Sequence, residues 1–410
     1  MKYFLNIFVP ASFIFLLSFK ATAQDIEYIS YPDFPAANST WGSIGYNPVD
    51  STVYIGVTNH KDKIGLFAYN TNQQTMRLNG FVDEMAHLRN YQWQGKIHSK
   101  IVASKTGDIY FATDGGESRE EYLMDHPKGY AGGYLMKWDP HRKTLTNLGN
   151  TLQYESIKDV DIDPVSGNIY AVTYPMVHFI VYDAARNQMK DLGRLGSAHV
   201  PRVMFTDQWG NCYYVDWRQR LVKYERSKQQ LVFARESLPA FQGTPGEHII
   251  TGVTGFAKDT TANVIYLVTY GAKLIAFHPQ QDGIGKVEDL GGVFDGKKQP
   301  WAYYVPNLNI GNNGKLYYIV GGHGNYAIEN KIALMEFNPA DKKKRQLRLF
   351  AENEIAEATG SDVRDAAGNL YFAGRKIIPY DRGSSDAERK LDNGISVPFL
   401  IKFHPDNITR

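Results

Sequence analysis

A single cysteine, Cys212, stands in the 410 residues, so no internal disulfide can form and no multi-thiolate zinc site can be assembled. Helical periodicity is nearly absent, which leaves strands as the main building element. No HExxH, P-loop, GxSxG or dinucleotide glycine fingerprint occurs, and this argues against the commonest zinc-protease, nucleotide and serine-hydrolase chemistries. An excess of one charge is missing too. The sequence holds 45 basic and 43 acidic side chains, and two of the lysines, Lys2 and Lys20, fall in the first 23 residues. The remainder is balanced, so neither nucleic acid nor a membrane surface is an expected partner.

Residues 1–23 read as a signal peptide. Lys2 supplies the positive start, an apolar stretch runs from Tyr3 to Phe19, and Ala21-Thr22-Ala23 forms a small-x-small cleavage site before Gln24. Pro10 interrupts the stretch, which suits a leader better than a membrane anchor. The expected product is a secreted or periplasmic chain of residues 24–410, forming one domain without membrane insertion. Its stability must come from its core, for which 43% hydrophobic and 13% aromatic residues are ample.

What the sequence has in abundance is repetition. A turn with Gly or Asx followed by a short strand around a tyrosine occurs seven times, at Tyr54, Tyr110, Tyr170, Tyr213, Tyr266, Tyr317 and Tyr371, spaced 43 to 60 residues apart. Each copy is followed by a strand ending in an aromatic and a polar turn, at Tyr69, Trp138, Tyr182, Tyr224, Phe277, Phe337 and Phe403. The spacing predicts an all-β fold, a seven-bladed β-propeller of four-stranded antiparallel blades, with all fourteen aromatics in the core. The last pair nearly reaches the C-terminus, so residues from about Ile26 to Tyr31 are expected to close the ring. Two β-sandwich domains would not require seven equivalent hairpins, and a β-helix repeat would be much shorter.

Fold does not give function, so the site is sought at one mouth of the central channel, among polar and aromatic groups preceding the hairpins. Trp93-Gln94-Gly95-Lys96-Ile97-His98-Ser99 comes before the second, and His199-Val200-Pro201-Arg202 before the fourth. His248, Trp301, Tyr303 and Arg364 precede the fifth to seventh. Gly115 to Gly133 is a long insertion carrying His126; Tyr174 and His178 lie in the third hairpin, and His323-Gly324-Asn325-Tyr326 in the sixth. Any one of these could be structural. His98, Tyr174, His199 and Arg202 come from adjacent repeats, so their loops could face one cleft.

The run QGKIHSKIV from Gln94 to Val102, then GDIYFAT, the insertion and GYLMKWDP, together with the TYP context of Tyr174, resembles secreted bacterial seven-bladed propeller polysaccharide lyases, above all ulvan lyases. The resemblance implies β-elimination at a uronic acid next to rhamnose. It makes His98 and Arg202 the neutralisers of the uronate carboxylate and Tyr174 the acid/base, with Arg186 and Arg194 as substitutes for the arginine. His126, His199, His248, Trp301, Tyr303, His323 and Arg364 become substrate-binding candidates. Such chemistry needs no cofactor; relatives with a structural metal leave a metal site open, with ligands that the residues here do not identify. The expected partner is an anionic polysaccharide or oligosaccharide, and the expected state a monomer. Two other readings stand beside this one: a rhamnosidase-type hydrolase, to which Asp161, Asp216 and Asp362 could lend carboxylates, and a propeller that only binds glycan or protein.

Overall fold

The computed structural model describes residues 26–59, 63–115, 131–195, 203–239, 252–270, 272–295, 304–322, 325–326, 331–379, 390–391 and 394–407. Within them the chain is a β-propeller of antiparallel blades. Five blades are separate sheets, spanning residues 39–81, 96–149, 156–194, 205–237 and 253–292. The remaining strands form one ten-stranded sheet, which departs from the seven separate blades expected from the repeat. The reason is local: Asn307–Ile310 pairs in parallel with Glu357–Ser361, through Asn307 with Gly360 and Leu308 with Ser361. Two antiparallel units thereby merge at the channel axis.

The hairpin register is uniform. Each repeat tyrosine sits opposite the residue just before its partner aromatic: Tyr54 faces Ala68, Tyr170 faces Val181, Tyr213 faces Lys223 and Tyr371 faces Lys402. Tyr110, Tyr266 and Tyr317 face Lys137, Ala276 and Glu336 in the same way. All fourteen aromatics are buried. The tyrosines do more than pack, because several hydroxyls donate to an acid in the turn before their own strand. Tyr54 reaches Asp50 at 2.6 Å, Tyr213 reaches Asp207 at 3.0 Å and Tyr371 reaches Asp365 at 2.7 Å. Burial, reinforced by these aspartates, pushes the Tyr213 and Tyr371 phenols far up, so they remain donors.

Closure uses the N-terminal strand as expected: Ile26–Ser30 pairs antiparallel with Gly394–Phe403, from Ile26 opposite Phe403 to Ser30 opposite Phe399. Ser396 Oγ donates to the Asn38 carbonyl at 2.6 Å, tying the end of the chain to its beginning. Pairing the first described strand with the last in this way closes the ring between the two ends of the chain. The predicted leader lies outside the described residues, and no helix among those described is long and apolar enough to cross a membrane.

Candidate functional site at the channel mouth

The first strand of each unit lines the axis, and together they border an open cavity of about 60 Å³. Trp41, His98, Lys100, Asp159, Thr254, Phe256 and Thr359 come from these strands or their flanks, with Tyr304 and Pro306 just ahead of Asn307. Connections at this end join second to third strands and each blade to the next, and they include the Asp114-to-Leu135 insertion. Connections at the opposite end are tight turns, many with a residue at positive φ such as Ser51, Gln74, Lys143 or Asn187. The mouth is therefore the end with room for elaboration.

His98 is buried at this mouth. Its Nδ1 lies 2.9 Å from the carbonyl oxygen of Lys158 in the next blade. A carbonyl only accepts, so Nδ1 carries a proton and donates it to this bond. The imidazole stacks against Trp41, with ring centroids 6.0 Å apart and an interplanar angle of 19°. Two other blades make the same strand-to-strand bond with threonine: Thr254 Oγ1 donates to Val305 O at 2.6 Å, and Thr359 Oγ1 to Trp41 O at 2.7 Å. A hydroxyl suffices for the bond. The imidazole is chemically richer than the job requires.

Lys158 connects His98 to Tyr174. Its backbone oxygen holds the imidazole, while its fully buried ammonium lies 5.0 Å from the centre of the Tyr174 ring. The ammonium is 2.6 Å from Asp114, which also accepts Ser156 Oγ at 2.5 Å and sits 3.9 Å from Lys96. Lys96 in turn lies 4.2 Å from the Trp41 ring centre, a cation–π contact. Tyr174 ends the strand Ile169–Tyr174 opposite Ser156, and the turn after it is held by Glu155, which accepts the Met176 amide at 2.9 Å. His98 lines the cavity, while Lys96 and Lys158 stand buried behind it with Asp114 between them, and Tyr174 lies against Lys158.

Deeper in the channel, Lys100 meets Asp159 at 2.5 Å and donates to Met204 O at 2.7 Å. Burial pushes the Asp159 carboxyl up, against the lowering effect of Lys100. Asp159 is the sole carboxylate among the described residues that line the cavity. At the far end Asp161 accepts from Thr206 N at 2.8 Å and from Lys258 Nζ at 3.2 Å. Burial acts upward on Asp161 most strongly of any single influence, yet Lys258, Lys100 and the amide donors together hold its carboxyl below the usual value.

Of the residues expected at the site, His98 and Tyr174 both touch Lys158, one at its backbone oxygen and the other at its ammonium. Arg364 does not join them. It follows the strand Glu357–Ser361, at the far end of the channel, where its Nη1 donates to Ile310 O at 3.1 Å. Asp216 is structural, clamping the Arg220 guanidinium at 2.6 and 2.9 Å, and Asp161 and Asp362 lie at the far end. His178 is held by Asp191, with Nδ1 at 2.9 Å. Arg202, His126, His199, His248, Trp301, Tyr303 and His323 fall outside the described residues. Trp41, Lys100, Lys158, Asp114 and Asp159 were not anticipated. A signal for the last three existed, in charged residues interrupting strands that are otherwise apolar.

The sequence matches no protein-family model and no curated protein. Among solved structures the fold is similar to a streptogramin B lyase, with 12% identity, TM-score 0.57 and coverage of 92% of this chain and 96% of that one. It is similar also to a catalytically inactive virginiamycin B lyase from Staphylococcus aureus with quinupristin, at 9% identity, TM-score 0.58 and coverage of 92% and 98%. The WD40 repeats of RRP9 match at 8% identity, TM-score 0.56 and coverage of 93% and 98%. Lyases and WD40 proteins fit equally well, so the likeness is one of fold.

Proposed function

We propose that this protein is an exported, monomeric seven-unit propeller, the ten-stranded sheet holding two blades, and that it cleaves a uronate-containing anionic polysaccharide by β-elimination at the channel mouth. The observation that carries the reading is the joining of His98 and Tyr174 through Lys158 beside a cavity. In such an elimination the C5 proton leaves to a base, its electron pair forms the C4–C5 double bond, and the C4–O4 bond breaks with O4 taking a proton. The C5 proton is too weakly acidic unless the adjacent carboxylate is neutralised. His98, protonated on Nε2 as well, would donate there, with Lys96 and Lys158 adding positive field and Arg202 a further cation. Tyr174 would exchange the proton with C5 or O4. A hydrolase using paired carboxylates draws less support, because Asp161 and Asp362 sit away from the mouth and Asp159 is bound to Lys100. Binding without catalysis would leave the imidazole unexplained.

The test is incubation with a panel of anionic polysaccharides, ulvan among them, while following near-ultraviolet absorbance. Rising absorbance is expected, since elimination creates an unsaturated uronate; new reducing ends without absorbance would favour hydrolysis, and neither would favour binding alone.

A further inference from the structure

The turn at residues 216–219 joins the strands Cys212–Val215 and Arg220–Glu225 on the mouth face. It is tightly braced. Asp216 Oδ1 accepts the amides of Arg218 and Arg220, each at 2.9 Å, and its Oδ2 holds the Arg220 guanidinium. Ser237 Oγ donates to Arg218 O at 2.7 Å, and Gln219 Oε1 accepts the amide of Gly252, which leads into the next blade's axial strand Val253–Asp259. On this rigid base stands Trp217, a large aromatic left 40% exposed. The Arg218 guanidinium lies 4.7 Å from the Trp217 ring centre and is itself exposed. Among the described residues no carboxylate pairs with Arg218, whereas Arg220 next to it is bound to Asp216. A braced turn that displays an indole with an unneutralised guanidinium against it is a preorganised surface for a ring that carries negative charge.

We propose that Trp217 and Arg218 form a subsite on the rim of the mouth for an anionic sugar ring, the indole stacking on the ring and the guanidinium meeting its carboxylate or sulfate. The proposal rests on the saccharide reading of the mouth and adds a second contact point, away from His98, that would hold a longer chain across the face. A single exposed tryptophan is ordinary on a protein surface; the guanidinium laid against it and the bracing of its turn are what set this one apart.

The experiment is native gel electrophoresis through gels containing ulvan, polygalacturonate or alginate, alongside the absorbance assay. Wild-type protein is expected to be retarded by at least one polymer, and added salt should relieve the retardation. Trp217→Ala and Arg218→Ala should each lose most of it, with Arg218→Lys intermediate. If the absorbance assay succeeds, both alanine variants should raise KM for the polymer roughly five- to tenfold with kcat unchanged. Retention of full retardation by Trp217→Ala, or no retardation of wild type in any gel, overturns the subsite. Retardation without elimination keeps the subsite and sinks the lyase reading; elimination with an unaltered Trp217→Ala does the reverse.

Discussion

The two ends of the channel are built from the same axial strands but put polar groups to different uses. At the far end each polar group answers a neighbouring strand: Asp161 takes the Thr206 amide and the Lys258 ammonium, and the turn aspartates take tyrosine hydroxyls. At the mouth, the position that Thr254 and Thr359 fill elsewhere is given to His98, and Lys96 and Lys158 converge on the single carboxylate of Asp114. The far end is accounted for by the needs of the fold. A side chain that exceeds those needs, beside a cavity, is the better guide to function.

The sharpest way to break this comparison is His98→Thr. Threonine is what two other blades use for the same strand-to-strand bond, so the variant should fold and melt close to wild type. Turnover on a cleaved polysaccharide should nevertheless fall by about 10²- to 10³-fold, the usual loss when one transition-state donor is removed. If His98→Thr turns over normally, the imidazole is only a strand tie and the two ends are alike.

Asp161→Ala probes the opposite end and should give the opposite result. It removes acceptors from the buried Thr206 amide and hydroxyl and from Lys258, at a cost of roughly 3 kcal/mol in a denaturant titration. Activity per folded molecule should stay at the wild-type level, because Asp161 touches no part of the mouth cavity. A large loss of turnover with unchanged stability would show that the channel works as one site.

How much of this was legible beforehand depended on the range of the interactions. The hairpins were readable because tyrosine, turn and partner aromatic lie close in sequence, and register follows from the turn. Their fusion into a ten-stranded sheet was not, since it depends on Asn307 pairing with Gly360 of the neighbouring axial strand, far away in sequence. His98 was found through its local motif, but its partners Trp41 and Lys158 lie on neighbouring blades and share no motif with it. Arg364 lies apart from His98 for a geometric reason. Residues preceding a hairpin include both ends of the axial strand: His98 stands a full strand upstream of Tyr110 and so at the mouth, whereas Arg364 stands in the turn just before Tyr371 and so at the far end.

The smallest expected effect belongs to Asp362, at the far end. Its side chain is exposed to solvent, yet the protein packed around it pushes its carboxyl above the usual value of 3.8, with Lys258 opposing and Asp161 adding to the rise. A raised folded-state pKa means that the folded protein holds this proton more tightly than the unfolded chain does. The resulting stabilisation is complete below 3.8 and is lost as pH rises through the folded-state value, so at neutral pH the carboxylate is a net burden relative to a neutral group. Asparagine removes the charge, can still accept the Lys258 amide that Asp362 Oδ1 accepts at 3.2 Å, and tolerates the positive φ of 58° at this position. Asp362→Asn should therefore melt slightly above wild type at pH 7, the gap narrowing on acidification and closing below about pH 3.8. A lower melting temperature at pH 7 would mean that the Asp362 charge is needed by Lys258, and that the far end of the channel, too, holds more charge chemistry than its hydrogen bonds reveal.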